Sequence, residues 1–350
     1  MHKTRINKLL SQFDNGVIFI NSYPNIFYYS GFSSEDAYLI ISEDERFIIT
    51  DSRYFTQAKK EAPDFELVDI KSGVNKIFQK IKSDIVYFES DNLSYSEYEK
   101  IKNPASGKVL IPAQAKINKP RAVKDSYELE LIKTAEEIGD MAFAHLLNFM
   151  KVGMTEREIA FELETYMRKQ GAEKLSFETI CASGENSAMP HARVTDKVIE
   201  NGDFLPLDFG CVYKGYCSDM TRTVVFGKAQ SRQAEIYSLV LKAQKAAIKS
   251  LCAGIACSEA DKIARDIIES GGLGKNFSHA LGHSVGIEIH ENPSLSPKST
   301  DILEVGNVIT VEPGVYIEGF GGVRIEDLAA ITPTGAINLC ASPKELIVIN

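Results

Sequence analysis

Residues 207–222, LDFGCVYKGYCSDMTR, hold two aspartates, Asp208 and Asp219, with ten residues between them. The first follows an apolar run and the second sits among Ser218, Met220 and Thr221. Between them lies Tyr213-Lys214-Gly215-Tyr216, where Gly215 supplies the backbone freedom a tight turn needs. The pattern predicts a β-hairpin with its midpoint near Tyr213 and Lys214. Asp208 and Asp219 are then expected to face each other across two antiparallel strands. Opposed residues have Cβ atoms about 4.5–5.5 Å apart, and like charges at that distance destabilise a sheet unless something positive lies between them. A divalent metal is the simplest such charge. This stretch alone leaves open a second reading, a surface hairpin with solvated acids.

On the N-terminal side, residues 1–118 read as a small α/β domain. VIFI, AYLIIS, RFIITD, FELVDI and IVYFES are short β-type runs, with helical patterns near residues 54–61 and 74–81. The aromatic stretch NIFYYSGF, residues 25–32, reads either as core packing or as a surface touching a substrate or a second subunit. A boundary falls at IPAQAKINKPR, residues 111–121, which carries two prolines and little periodicity. The second domain is therefore assigned to residues 119–350. It opens with a helix capped by Asp125 or Ser126, followed by one capped by Thr155 with Glu158 three residues on and stopped at Gly171. LSFETICAS, DFLPLDFG, GYCSDMTRTVVF, VITVEPGVYI and GVRIEDLAAIT read as strands, with helices near 232–253 and 258–270 between them. No internal repeat is legible.

Composition bounds the partners. A length of 350 residues accommodates two domains, and 44% hydrophobic with 25% charged residues is ordinary for a soluble globular chain. A formal charge of -9 without a basic patch argues against nucleic acid or an anionic membrane. No run approaches the roughly 18 apolar residues of a membrane span, and MHKTRINKLL lacks the apolar core of a secretion signal. Six cysteines without a CxxC pair read as reduced, mostly buried thiols, which points to a cytoplasmic protein.

Further chemistry-bearing residues gather towards the C-terminus. His279 and His283 stand four apart, and His290-Glu291 begins seven residues later. Glu312 precedes Pro313-Gly314, Glu326 lies two residues after Arg324, and His191 sits in SAMPHAR. A lone His or Glu on a strand is usually a satisfied polar group; the Gly- and Pro-flanked settings weaken that explanation here. Asp208, Asp219, Glu312 and Glu326 total -4 when ionised. Two divalent cations would balance them, and carboxylate-dominated ligands favour harder ions such as Mn²⁺ over structural zinc. Two metals about 3.5–4 Å apart activate a water and polarise a carbonyl together. Competing motifs are weaker: HExxH, a Walker loop and a GxGxxG after a strand are all missing, and GFGG at 319–322 only hints at a phosphate loop.

Asp208, Asp219, His283 in GHSVGIEIHE, Glu312 in VEPGVY and Glu326 in RIED closely resemble the ligand motifs of the dimetal "pita-bread" peptidases, the family of methionine aminopeptidase, Xaa-Pro aminopeptidase and prolidase. The resemblance covers about residues 121–350. It implies a pseudo-symmetric pita-bread α/β fold, with α+β character, behind a smaller N-terminal domain like that of the creatinase/prolidase branch. It also implies two divalent ions held by those five residues, Mn²⁺ first and Co²⁺, Zn²⁺ or Fe²⁺ as alternatives. His191, His279, His290, Tyr316 and Arg324 fall at active-site positions of the proline-specific branch, and Glu312 would serve catalysis as well as metal binding. Two positions depart from the branch's pattern: Ala192 in PHA and Ser284 in GHS stand where glycine is commoner.

The expected activity is that of an Xaa-Pro aminopeptidase, cleaving before a proline at the second position of a peptide. A prolidase limited to Xaa-Pro dipeptides is the alternative, and a non-catalytic binding protein on the same scaffold is a remote one that the intact ligand set opposes. Resemblance also implies a homodimer.

Overall fold

The computed structural model describes residues 1–72, 77–78, 81–103, 105 and 107–350. They form two compact units, Met1–Arg121 and Ala122–Asn350.

In the first unit, VIFI is buried at all four positions, as a strand covered on both faces must be. It becomes the strand Val17–Ile20, antiparallel to Ala37–Ile41 and parallel to Ile85–Phe88. Arg46–Thr50 and Glu66–Asp69 extend the sheet on one side and Val109–Pro112 on the other, making six strands. The aromatic stretch belongs to the core: Ile26, Tyr28, Tyr29 and Phe32 are fully buried. Hydroxyls of Tyr28 and Tyr29 donate to the carbonyls of Pro120 and Ile117. Of the helix expected over 74–81, Ile77 and Phe78 are helical, while residues 74–76, 79 and 80 lie outside the described residues. The stretch 111–121, expected to be irregular, is instead the end of a strand and the helix Gln114–Ala122, with Pro120 in its last turn. Pro120 withholds one helical donor and the helix ends two residues later, while the residues before it form the earlier turn without needing its N–H.

The second unit runs twice through the same order, a helix pair followed by strands. The first pair is Ser126–Phe149 and Glu156–Lys169, opened by capping boxes of Asp125 with Glu128 and Thr155 with Glu158. The second is Ser231–Ser250 and Cys257–Ser270. One sheet orders its strands Ile347–Ile349, Met220–Phe226, Phe204–Phe209 and Ile180–Cys181; another orders Glu291–Leu295, Gly282–Ser284, Val308–Val311, Asp327–Thr332 and Gly335–Asn338. Phe204, Val225, Tyr237, Val240, Ile309 and Val323 share one buried apolar cluster that joins the second helix pair to strands of both sheets.

Two long β-type runs are broken where the site residues sit. VITVEPGVYI divides into Val308–Val311 and Gly314–Ile317, with Glu312-Pro313 between them. Pro313 has no N–H to donate to a ladder, so the strand cannot continue through it. GVRIEDLAAIT divides into Gly321–Arg324 and Asp327–Thr332, with Ile325-Glu326 between. LSFETICAS yields only Lys174–Leu175 and Ile180–Cys181.

Candidate metal centre

The hairpin between the aspartates forms, but its register differs from the expected one. Tyr213 pairs with Tyr216 around a two-residue turn in which Lys214 has φ 46° and Gly215 φ 82°, the doubly left-handed signature of a type I′ turn. That turn lies one residue further along than the expected midpoint. Asp208 consequently pairs with Thr221, not with Asp219. The two aspartates lie on the same face as diagonal neighbours, a relation in which side chains stand about 7–8 Å apart in an ideal ladder. Gly210 is crossed so closely by the Ser218 carbonyl that a Cβ would collide with it, which fixes a glycine beside Asp219.

His283 brings the opposite sheet to this pair. Its Nε2 lies 3.5 Å from Asp219 Oδ2 and 3.4 Å from Glu312 Oε1. The Ser284 carbonyl, 3.2 Å from Nδ1, assigns the ring proton to Nδ1 and leaves the Nε2 lone pair facing the carboxylates. Asp219, His283 and Glu326 offer ligand atoms that all lie within 4.8 Å of one another. Asp208, Asp219, His283, Glu312 and Glu326 line a single cavity of about 1040 Å³, together with His191, His279, His290 and Arg324. Tyr316 stands behind that wall: its hydroxyl lies 3.1 Å from His279 Nε2 and accepts a 2.6 Å hydrogen bond from Arg324 Nη1. His290 reaches the centre from the side, its ring centroid 4.4 Å from that of His283.

Arg324 is buried and fully engaged. It donates to the Asp208 carboxylate, to Thr221 Oγ1 at 3.1 Å and to the Pro190 carbonyl at 3.2 Å as well as to Tyr316. One cation cannot balance four acids, and the acids respond. Burial, followed by repulsion from Glu326 and Asp208, pushes the Asp219 carboxyl well above the usual range. Glu326 is raised likewise, by burial and then by Glu312 and Asp208. Burial pushes Glu312 up to about 8, against the pull of Arg324. Burial also lowers His283 to about 4, helped by His290, and lowers His279 to about 4, helped by Arg324. Both imidazoles are therefore neutral near pH 7.

The donor set fits divalent metal on its own evidence. Asp208 Oδ1 and Glu326 Oε1 are buried with no hydrogen-bond partner among the described residues, and such groups are ordinarily satisfied. Neutral imidazole and carboxylate oxygens are the ligands that borderline and hard divalent ions accept.

A pH test follows from the same shifts. A carboxyl with a raised folded pKa makes the fold less stable as pH climbs from its unfolded value to its folded one. Each such group removes about 1.4 kcal/mol per pH unit inside that window. The lowered histidines act only below about pH 6.5, where falling pH removes stability. Between pH 6.5 and 8 the acids act alone, so the melting temperature of chelator-treated protein should fall. In metal-loaded protein the drop should shrink to what Glu136 leaves, since burial pushes that carboxyl to about 8 as well. Parallel melting curves for the two forms would contradict the site.

Comparison with known proteins places this geometry in a lineage. Residues 130–333 match the pattern of metallopeptidase family M24, and residues 4–123 match the creatinase/prolidase N-terminal domain. The chain is 39% identical to an Xaa-Pro dipeptidase of Pyrococcus furiosus over 99% of this chain and 100% of that one. The chain belongs to metallopeptidase family M24. Among solved structures, an Xaa-Pro dipeptidase from Bacillus anthracis superposes with a TM-score of 0.97 at 41% identity, covering 99% of this chain and 100% of that chain. An X-Pro aminopeptidase from Thermotoga maritima superposes with a TM-score of 0.93 at 37% identity, covering 100% and 99%. The pita-bread α/β fold and the creatinase-type N-terminal domain expected from the sequence are both present.

Around the site of this M24 metallopeptidase lie further residues that the sequence did not single out. Thr221 Oγ1 donates to Glu326 Oε2 at 2.6 Å while accepting from Arg324. Thr310 Oγ1 accepts from the His283 N–H at 3.0 Å and reaches Glu312 Oε1 at 3.3 Å. Glu136 lies under Asp219, accepting its backbone N–H at 3.4 Å. Thr221 was within reach of the pattern, because it stands two residues beyond Asp219 on the same face of its strand.

Proposed function

We propose that this M24 metallopeptidase holds two divalent ions, Mn²⁺ foremost, on Asp208, Asp219, His283, Glu312 and Glu326, and hydrolyses the bond preceding proline in Xaa-Pro dipeptides. The observation that carries the reading is the convergence of those five residues in one cavity, with two buried carboxylate oxygens still lacking a partner among the described residues. Limitation to dipeptides is supported by the names of the relatives from Pyrococcus furiosus and Bacillus anthracis. It replaces the aminopeptidase reading as the first choice. The aminopeptidase remains the second, supported by the Thermotoga maritima structure.

Bound metal would supply a nucleophile from water at neutral pH and polarise the scissile carbonyl. The chain's own residues do the rest. His290 donates a hydrogen bond to the oxygen that gains charge at the carbonyl. Glu312 carries a proton to the departing proline nitrogen. His191 and His279 line the proline side, where an amide without an N–H must be recognised by ring shape and by its neighbouring carboxylate or carbonyl. Arg324 holds Asp208 and Tyr316 in place. Residues 119–350 form the catalytic domain; residues 1–118 shape substrate access or the assembly of a cytoplasmic homodimer.

One assay separates the two readings. With metal supplied, kcat/KM for an Xaa-Pro dipeptide should exceed that for the same sequence extended by one residue by at least about tenfold. That ratio corresponds to about 1.4 kcal/mol of discrimination. Equal cleavage of both, or preference for the tripeptide, would return the aminopeptidase to first place.

A further inference from the structure

Gly282–Ser284 and Glu291–Leu295 form a hairpin whose register slips between His283 and Ser284. The connection, residues 285–290, ends on His290 and carries no regular ladder of its own. Backbone hydrogen bonds from Val285 to Val308, from Cys217 to Gly286 and from Gly286 to Glu288 hold part of it, and one carboxylate gathers its middle. Glu291 Oε1 accepts the backbone N–H of Ile287 at 3.1 Å and that of Glu288 at 3.2 Å. Glu291 also lies so close to Gly286 that a Cβ there would stand 2.5 Å from Oε2, so the loop can wrap the carboxylate only with a glycine at that point.

The carboxylate is itself anchored. Lys124 Nζ donates to Glu291 Oε2 at 3.1 Å and to Ser284 Oγ at 3.1 Å, and Ser284 Oγ donates to the Val308 carbonyl at 2.8 Å. The Lys124 and Glu291 side chains are 1% and 5% exposed. Ser284, where glycine is commoner in the proline-specific branch, thus supplies a hydroxyl to the lysine and not merely a small side chain.

An ion pair buried this deeply is poor evidence of stabilisation, because desolvation can cost as much as the attraction returns. What it does supply here is placement. It fixes the loop whose last residue, His290, has its ring against His283. We propose that Lys124 and Glu291 are positioning residues, a buried clamp that aims His290 at the substrate oxygen. The proposal rests on the role given to His290 above.

A double-mutant cycle tests it. In metal-loaded protein, H290A should lower kcat by about 10²–10³-fold, the usual loss of one donor to a developing oxyanion, with metal content unchanged. E291A should lower kcat by at least about tenfold, which is 1.4 kcal/mol of barrier. E291Q should do less, since its amide oxygen still accepts from the two loop N–H groups. The deciding readout is H290A/E291A, or H290A/E291Q if Glu291→Ala does not fold. A clamp that works through His290 has nothing left to aim once the imidazole is gone, so the double variant should match H290A in kcat within about twofold. Multiplying effects, or unchanged kcat in both single Glu291 variants, would overturn the clamp. Unchanged kcat in H290A would overturn the reading of His290 and the clamp with it.

Discussion

Asp219→Asn should make the protein more heat-stable when metal-free and nearly inactive when metal is supplied. Asp219 is 4% exposed and surrounded by Glu326, Asp208 and Glu312, and burial with that repulsion raises its carboxyl well above the usual range. An asparagine of the same shape removes one of the crowded acids and still offers an oxygen. It removes the charge, however, and Asp219 belongs to the trio whose ligand atoms converge within 4.8 Å. Replacing partners that merely orient a metal ligand typically costs about 10–100-fold in affinity or activity; loss of a ligand charge should exceed that range. Metal analysis should find less than a full complement, and kcat should fall by more than about 10²-fold. Wild-type activity at full metal content would remove Asp219 from the site.

Asp327→Ala is the corresponding prediction for the frame around the site. Asp327 and Arg222 have side chains 0% and 1% exposed, joined at 2.7 Å. Arg222 also donates to the carbonyls of Thr221, Glu326, Ser342 and Pro343. Asp327 accepts further hydrogen bonds from Gln244, Asn338 and Lys344. Burial pushes its carboxyl up, yet Arg222 and Lys344 hold it below the usual range, so it is ionised. Removing one member leaves a guanidinium desolvated and unpaired, a change that usually costs about 3–5 kcal/mol. Urea unfolding should show a loss of that order, and Asp327→Asn, which keeps some of the hydrogen bonds, a smaller one. A loss below about 1 kcal/mol, the scale of an exposed pair, would mean that water reaches the pair.

The proposed donor set was legible chiefly through its resemblance to the ligand motifs of the dimetal peptidases. Charge balance brought Asp208, Asp219, Glu312 and Glu326 together, although the aspartate hairpin alone could also be read as solvated, and the choice of His283 came from the motif resemblance. The register was harder. Lys214 and Gly215 form the turn, and shifting its centre by one residue moves each pairing by two, so Thr221 takes the place opposite Asp208 that Asp219 was expected to hold. Turn geometry decided this, and Lys214 is not a residue that declares a left-handed backbone. Thr310 and Lys124 were invisible for a different reason. A hydroxyl or an ammonium matters there through what the fold sets beside it, often more than a hundred positions away, as with Lys124 and Glu291 at a separation of 167. The helix Gln114–Ala122 was missed because Pro120 within it and Pro112 just before it disguise it, and it buries few apolar side chains.

The two-fold repetition of helix pair and strands has a consequence for how the chain is born. Asp208, Asp219, Thr221 and Arg222 come from the first run; His283, Glu312, Arg324, Glu326 and Asp327 come from the second. During vectorial synthesis the first run leaves the ribosome before the second exists. Arg222 must then wait for Asp327, and Thr221 for Glu326, each 105 residues downstream, while Asp208 waits 116 residues for Arg324. Until those strands arrive, Arg222 and the two acids lack the partners they have in the finished fold, and water must solvate them. Burial of the hairpin around Asp208 and Asp219 is thereby deferred to one of the last events of folding, and a chain cut short before residue 324 would expose charge where the finished protein has its interior.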